Sequence, residues 1–419
     1  MGVPGRYRRR DMKKILMMLL LVLVAATLFA GGASEDKGYH GVTDNGFVPT
    51  LSDVKGTLSR KLYYNPAELT ENKLIVQVPN ASVSVFNFAK ALNNKTVAEA
   101  VSRFTHLKFS KKDLMAVLTG LVNNVGSGYN DLVTLDIGLG VAIDNWAISL
   151  DAQGRIKAMP KFKEGTEEID DASGLSLTSS GFVPMVDAAL SFGYGFRVFE
   201  KEEDFLDLGF AVRLADKVYV EQLTASEIVN DFKIDEKEAR SGIAFPFDVG
   251  AVYGMLDGKL LFSATVQNLN GYYYMHRYKN VNEAIIFRNG SGGYVLYTPW
   301  KLGTEVEYTP RWSYFNPVFS FRLEDINGYF ANDLSKSANE IFRHLTAKVN
   351  IDIIKQIGLS AAFKNGYPEI GADVDLWGNT IELKYGFREE GYSVKDGYTY
   401  GTKPVDAFTV RVKLGYDTN

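Results

Sequence analysis

A chain of 419 residues with a formal net charge of -4 has no basic excess to hold nucleic acid and no strong field to steer charged partners. The absence of cysteine excludes disulfides, cysteine-based zinc sites and a lipid-anchored cysteine. Aromatic residues make up 13%, with 23 Tyr and 26 Phe, which suits a barrel with aromatic girdles, although large soluble β proteins can match it.

At the N-terminus, the basic run Arg8, Arg9, Arg10, Lys13 and Lys14 precedes an apolar stretch from Ile15 to Ala30 that ends in small residues. This predicts a signal peptide over residues 1–30, cleaved after Ala30 or Ala33. The stretch falls short of the ~20 residues a spanning helix needs. No later stretch resembles such a helix, so membrane insertion would fall to strands.

Further along, Thr96 with Glu99 and Ser110 with Asp113 read as capping boxes opening two short helices within 95–124. In the second, Leu114, Val117, Leu118 and Leu121 form an apolar stripe, suited to packing on a barrel rim or to gating a pore. The plainest strand is Asp131 to Asp144. Val133, Leu135, Ile137, Leu139, Val141 and Ile143 share one face; Thr134, Asp136, Gly138, Gly140, Ala142 and Asp144 share the other. The pattern recurs in 187–198, 205–215 and 245–255, and in later strands where Glu305 and Glu307, or Glu382 and Lys384, oppose apolar residues. One face is free of charge throughout. A lysine or arginine at a bilayer midplane costs about 2–4 kcal/mol, so that purity is expected of a lipid-facing surface. Ten residues at ~3.3 Å each, tilted about 45°, span roughly 23 Å, close to the apolar band of such barrels.

Strands are predicted at about 74–86, 131–143, 146–158, 183–198, 205–217, 243–255, 260–270, 298–309, 317–325, 342–352, 357–364, 369–376, 379–388 and 405–416, roughly fourteen in all. The connections alternate long and short, with an exception at Asn365-Gly366-Tyr367, as outer-membrane barrels require. The weakest point is Pro79, which interrupts the first strand. The predicted fold is all-β: a transmembrane antiparallel barrel over residues 74–419.

Tyr64-Asn65-Pro66-Ala67-Glu68-Leu69 resembles the hatch of the long-chain fatty acid outer-membrane transporter (FadL-type) superfamily, where an Asn-Pro-Ala triplet precedes the first strand. Ala264 to Leu269 is similar to an internal strand ending in Asn-Leu, and Pro299 to Tyr308 to a Pro-then-Leu-Gly strand entry. Gly358 to Phe387, with Asn365-Gly366-Tyr367-Pro368, resembles the closing hairpins of uncharacterised spirochaete FadL-like membrane proteins. The resemblance implies a fourteen-stranded barrel with residues 31–73 as an N-terminal hatch, passing hydrophobic compounds without an energy source. It also implies capture by apolar outer loops and release by shifts of the hatch, in some members through a lateral opening. The chain departs from the pattern in carrying its helices in the first outer connection, and in that its last aromatic, Tyr416, is not the final residue.

Candidate ligand-binding residues fall in the fourth outer connection: Tyr272, Tyr273, Tyr274 and Met275, then Ile285, Ile286 and Phe287. So apolar a loop serves ligand capture, or else an aromatic girdle with ordinary loop packing. Glu305, Glu307, Arg322, Glu324, Lys348 and Asp352 are expected to face the lumen, where mixed signs suit ion pairs anchoring the hatch or a base recognising a carboxylate. The histidines His40, His106, His276 and His344 are scattered, with His344 expected on a strand. Asp373 and Asp375 share a strand face, a weak calcium signal. Neither a metal, a cofactor nor an enzyme activity is expected. The expected partners are outer-membrane lipid, a hydrophobic small molecule and the barrel-assembly machinery, for a monomer in the outer membrane. A general diffusion porin and a non-transporting scaffold or assembly partner are the rival functions.

Overall fold

The structure, a computed structural model, describes residues 57–70, 72–93, 95, 128–159, 181–220, 223–224, 236–312, 316–327 and 338–417, apart from 355, 377–378 and 396–397. The expected signal peptide, the hatch before Thr57 and the helical pair within 95–124 lie outside the described residues. All of the described residues belong to one compact unit, Gly41–Asn419.

The period-two segments form one antiparallel sheet closed on itself. Its strands are β1 (Asn72–Phe86), β2 (Gly128–Asp144), β3 (Trp146–Met159), β4 (Gly181–Lys201), β5 (Asp204–Val220), β6 (Leu223–Thr224), β7 (Ala239–Ala244), β8 (Phe247–Met255), β9 (Leu260–Leu269) and β10 (Tyr272–Tyr278). They continue as β11 (Ser291–Tyr297), β12 (Lys301–Tyr308), β13 (Asn316–Leu323), β14 (Leu345–Ile354), β15 (Ile357–Lys364), β16 (Tyr367–Leu376), β17 (Asn379–Lys395), β18 (Tyr398–Lys413) and β19 (Gly415–Asp417). Four pairs of these, β7–β8, β9–β10, β11–β12 and β18–β19, are single staves broken by a bend, and β6 is a short edge piece beside β4. The wall is thus a closed antiparallel barrel of fourteen staves. It closes where β1 pairs with β2 on one side (Ile75↔Ala142) and with β18 on the other (Val83↔Val410).

The two faces separate as their chemistry demands. Leu135, Ile137, Leu139 and Ile143 are 42–54% exposed, while Asp136 and Ala142 between them are 1% and 0% exposed. A sandwich would bury the first set; here the greasy face looks out and the polar face looks in. No helix among the described residues is long and apolar enough to cross a membrane. Replacing Leu139 with Arg is therefore expected to destabilise the lipid-embedded barrel by about 2–4 kcal/mol, measured by denaturant unfolding in vesicles. Leu139→Ala serves as the size control, and an equal cost for both would contradict a lipid-facing position.

Pro79 sits at a bulge, with the β1–β2 register shifting between Gln77 and Asn80. An extra residue there tolerates the missing proline N–H, and the Asn80 carboxamide accepts from Leu414 N at 3.2 Å on the other flank.

Five expectations are corrected. The stave expected at 243–255 breaks at Phe245-Pro246, and the one at 298–309 begins earlier, at Ser291, and breaks at Thr298-Pro299-Trp300. Tyr272–Met275 is not loop but strand β10, beyond a bend where Asn268 and Asn270 both take left-handed backbone (φ 59°). The Asn268 amide donates to Thr298 O at 2.8 Å and Pro299 O at 3.2 Å, pinning the bend to the next stave. His344 ends a 3-10 helix (Ala338–His344) rather than lying in a strand, its Nδ1 3.0 Å from Glu324 O. The long outer connection read between 388 and 405 is mostly a hairpin, because β17 runs on to Lys395 and β18 starts at Tyr398.

Candidate functional site

Inside the barrel lies the segment that precedes β1. Helix α1 (Leu58–Tyr63) opens at Thr57, whose hydroxyl accepts from Arg60 N at 3.1 Å, and a 3-10 turn (Pro66–Leu69) follows. Asn65 caps that turn, its side chain accepting from Ala67 N at 3.1 Å, and Pro66 occupies the first position, where its missing N–H costs nothing. Every residue from Thr57 to Ala67 is buried. Asn65, Pro66 and Ala67 thus stand together in the lumen.

The wall is shaped to receive them. A Cβ built on Gly209 would strike Pro66 C, Pro66 O and Ala67 N, and one on Gly250 would strike the Asn65 side-chain oxygen. Glycine at these positions lets the segment's backbone touch the strands. Polar contacts complete the seat. Leu58 N donates to Gln77 Oε1 at 3.1 Å, Ser59 Oγ to Asp151 Oδ1 at 3.2 Å, and Ser191 Oγ to Tyr63 OH at 2.7 Å. Gln267 Nε2 donates to the carbonyls of Tyr63 and Tyr64 at 3.0 and 3.2 Å.

One ion pair crosses the whole assembly. The Arg60 guanidinium lies 2.7 Å from Glu305 on β12 and 2.8 Å from Glu68 within the segment. Arg322 on β13 approaches Glu305 at 3.5 Å and Glu324 at 2.9 Å, and its guanidinium stands 3.9 Å from the centre of the Tyr64 ring. Burial pulls the Arg60 pKa down, but Glu68 and Glu305 outweigh it and hold the group above its ordinary value. Burial likewise pushes the Tyr63 and Tyr64 phenols well above theirs, so both are neutral in the seat.

An apolar cluster joins the segment to the wall. Leu58, Leu62, Tyr63 and Leu69 form one cluster with Tyr273 and Met275 of β10 and with small wall residues such as Ala189, Ala211 and Ala215. Tyr219, Tyr294 and Leu296 pack against it. Lys217 is 0% exposed, 2.9 Å from Asp187, and 5.2 Å from the Tyr273 ring centre. Arg155 reaches the other Asp187 oxygen at 2.6 Å.

The expected ligand residues are therefore divided. Tyr273 (1% exposed) and Met275 point into the lumen, while Tyr274 (61%) points away from it. Tyr272 is half-buried against Tyr297, with ring centres 4.7 Å apart. Ile285 at the end of helix α2 (Val281–Ile285), with Ile286 and Phe287, is exposed and does not join the cluster; within the helix Ala284 is buried. Of the expected luminal charges, Glu305 and Arg322 are buried against the segment, Glu307 is buried further along β12, and Glu324 is half-buried beside Arg322. Lys348 and Asp352 stand apart from these, on β14. Asp187, Lys217, Asp151 and Gln267 were not singled out from sequence. Asp187 and Gln267 lie in recognised strand patterns, but nothing local distinguishes a charge or amide that meets the segment from one that meets water. Asp373 and Asp375 share the inner face of β16, and among the described residues no group of three or more metal-binding side chains converges.

No family model matches the chain, and no curated protein matches it either. Solved barrels do. The toluene transporter TodX of Pseudomonas putida aligns at 9% identity with a TM-score of 0.39, over 86% of this chain and 94% of that one. The toluene transporter TbuX of Ralstonia pickettii gives 9% and 0.41, over 90% and 99%. The translocator domain of the autotransporter NalP from Neisseria meningitidis gives 11% and 0.36, over 86% and 94%. At these values the likeness carries no argument about what passes through this barrel.

Proposed function

We propose that the protein is a passive outer-membrane conduit for hydrophobic small molecules such as long-chain fatty acids. The observation that carries this reading is the buried apolar cluster that Tyr273 and Met275 of the wall form with the luminal segment. A lumen built only for water-borne solutes has no use for a buried aromatic wall, whereas an apolar guest gains about 25 cal/mol per Å² placed against one. The exposed Ile285, Ile286 and Phe287 serve as the collecting surface, and the segment bearing Asn65, Pro66 and Ala67 gates the lumen. The lipid-facing band makes outer-membrane lipid the surrounding partner. Delivery depends on the barrel-assembly machinery, and the unit of function is the monomer. No step of this transport requires bond-making chemistry, and the protein is not an enzyme in this reading.

Two measurements test it. Mass spectrometry of gently purified protein is expected to find a retained amphiphile with a long apolar chain. In a transporter-null host, replacing Ile285, Ile286 and Phe287 together with Ser is expected to lower uptake about tenfold, the loss of roughly 1.4 kcal/mol of apolar contact, with the barrel still folded. Unchanged uptake by that variant would remove the collecting role. Absence of any retained amphiphile together with absence of uptake by the unaltered chain would sink the conduit reading.

A further inference from the structure

We propose that the barrel contains a second, polar path that passes small inorganic ions beside the luminal segment while that segment stays seated. It runs along the inner faces of β14 to β17. The proposal does not rest on the hydrophobic-cargo reading.

The first observation is a difference between two sides of one lumen. On β2 to β5 the inward residues at mid-strand, Asp136, Asp151, Asp187, Ser191 and Ala211, are buried, because the seat of the segment is built from β1 to β13, and only toward the strand ends are inward residues such as Arg155, Lys157 and Arg197 half-buried. On β16 no residue is buried at all. Its outward Ile370, Val374 and Leu376 are exposed to the surroundings, and its inward Glu369, Asp373 and Asp375 are half-buried. The inward Lys348 of β14 and Ser360 and Lys364 of β15 are half-buried as well. Partial exposure on the inner face of a closed wall means that water reaches it.

The second observation is how charge is laid out along that wall. Toward the short-turn end, cross-strand pairing aligns Asp352 with Gly358, Gly358 with Asp373, and Asp373 with Glu382. Three acids thus share one row, which ends at Arg411 of β18, 3.0 Å from Glu382, and Asp375 stands on the neighbouring row. Gly358 makes the row possible, since a Cβ there would come within 2.5 Å of the Asp373 carboxylate. Higher on the same strands the sign reverses: Lys348, Lys364, Lys384 and Arg388 stand there, with Glu369 among them. Lys384 joins the two bands, 3.0 Å from Glu382 and 3.7 Å from Glu369.

Rings of fixed charge set the selectivity of narrow polar pores. Fixed charges act over a Debye length, about 8 Å at physiological ionic strength, so ions passing close to this wall feel both bands. A basic band in series with an acidic band fills with carriers under one field direction and empties under the other. The current is therefore larger at one polarity.

The test uses the full chain in planar bilayers with potassium chloride. The expected result is a steady conductance, with current at one polarity about twice that at the other. Asp352→Asn with Asp373→Asn is expected to reduce the asymmetry and shift the reversal potential toward anions. Lys364→Gln is expected to shift it toward cations, and both variants are checked for the folded, heat-modifiable gel mobility of a barrel. Bridging Ser59→Cys to Asp151→Cys with a short thiol crosslinker is expected to leave conductance at the level of the unbridged double variant. The chain has no other cysteine, so the bridge is unambiguous. A bilayer no more conductive than one without protein would overturn the proposal. So would a symmetric current unmoved by the charge variants, or a current abolished by the bridge.

Discussion

Gly209→Ala is expected to unseat the luminal segment, whereas Gly154→Ala, also on a barrel strand, is expected to be silent. The new methyl at position 209 meets backbone atoms of Pro66 and Ala67, which have no rotamer to escape into. Overpacking of this kind costs about 1–3 kcal/mol, and more where neither side can give. At position 154 the nearest heavy atom to the new methyl is Leu135 O at 4.0 Å, ordinary contact. Gly250→Ala falls between them: its methyl strikes the Asn65 side-chain oxygen, which can swing away only by giving up the cap on Ala67 N, a loss of about 1 kcal/mol. The measurement is maleimide labelling of Ala67→Cys, a residue 1% exposed in a chain without cysteine. Labelling should rise in the order Gly154→Ala, Gly250→Ala, Gly209→Ala. Equal protection in all three would mean that the glycines serve strand geometry alone.

The barrel was legible in the sequence because both its signals are local. Alternation along Leu135, Ile137 and Leu139 needs only period two, and the absence of charge on that face separates a lipid wall from a sandwich core. What escaped depends on partners far along the chain. The bend before Tyr272 looks like a strand end, since Asn268-Leu269-Asn270-Gly271 has turn composition; only the hydrogen bonds to Thr298 and Pro299 reveal a stave that continues. Tyr273 and Tyr274 are adjacent and chemically identical, yet one joins the luminal cluster and the other faces outward, a parity set by that bend. The glycines of the polar face were visible as a pattern. Their use was not, because Gly209 and Gly250 gain meaning only against Pro66 and Asn65, more than a hundred residues away in sequence. The hairpin through 389–404 was missed for a different reason: Gly391, Gly397 and Gly401 with a run of polar residues carry no apolar face to read.

Arg60→Met is expected to cost about 3 kcal/mol, a shift of roughly 150-fold in the balance between seated and unseated segment. The substitution leaves the Glu305 carboxylate, 4% exposed, with Arg322 at 3.5 Å in place of the 2.7 Å partner it has lost. Stranding a buried charge is what makes such a deletion expensive; the pair itself stabilises little against an apolar pair of the same shape. Adding Glu305→Gln should therefore recover most of the loss, with Arg322 still paired to Glu324 and stacked on Tyr64. Denaturant unfolding in detergent, read alongside labelling of Ala67→Cys, separates global from local effects. If the ion pair anchors the segment, Arg60→Met raises labelling strongly, Glu305→Gln restores protection, and the barrel's own midpoint moves little. Should Arg60→Met leave labelling unchanged, the glycine seat and the hydrogen bonds from Ser191 and Gln267 suffice to hold the segment, and the charges near it act on passing solutes instead.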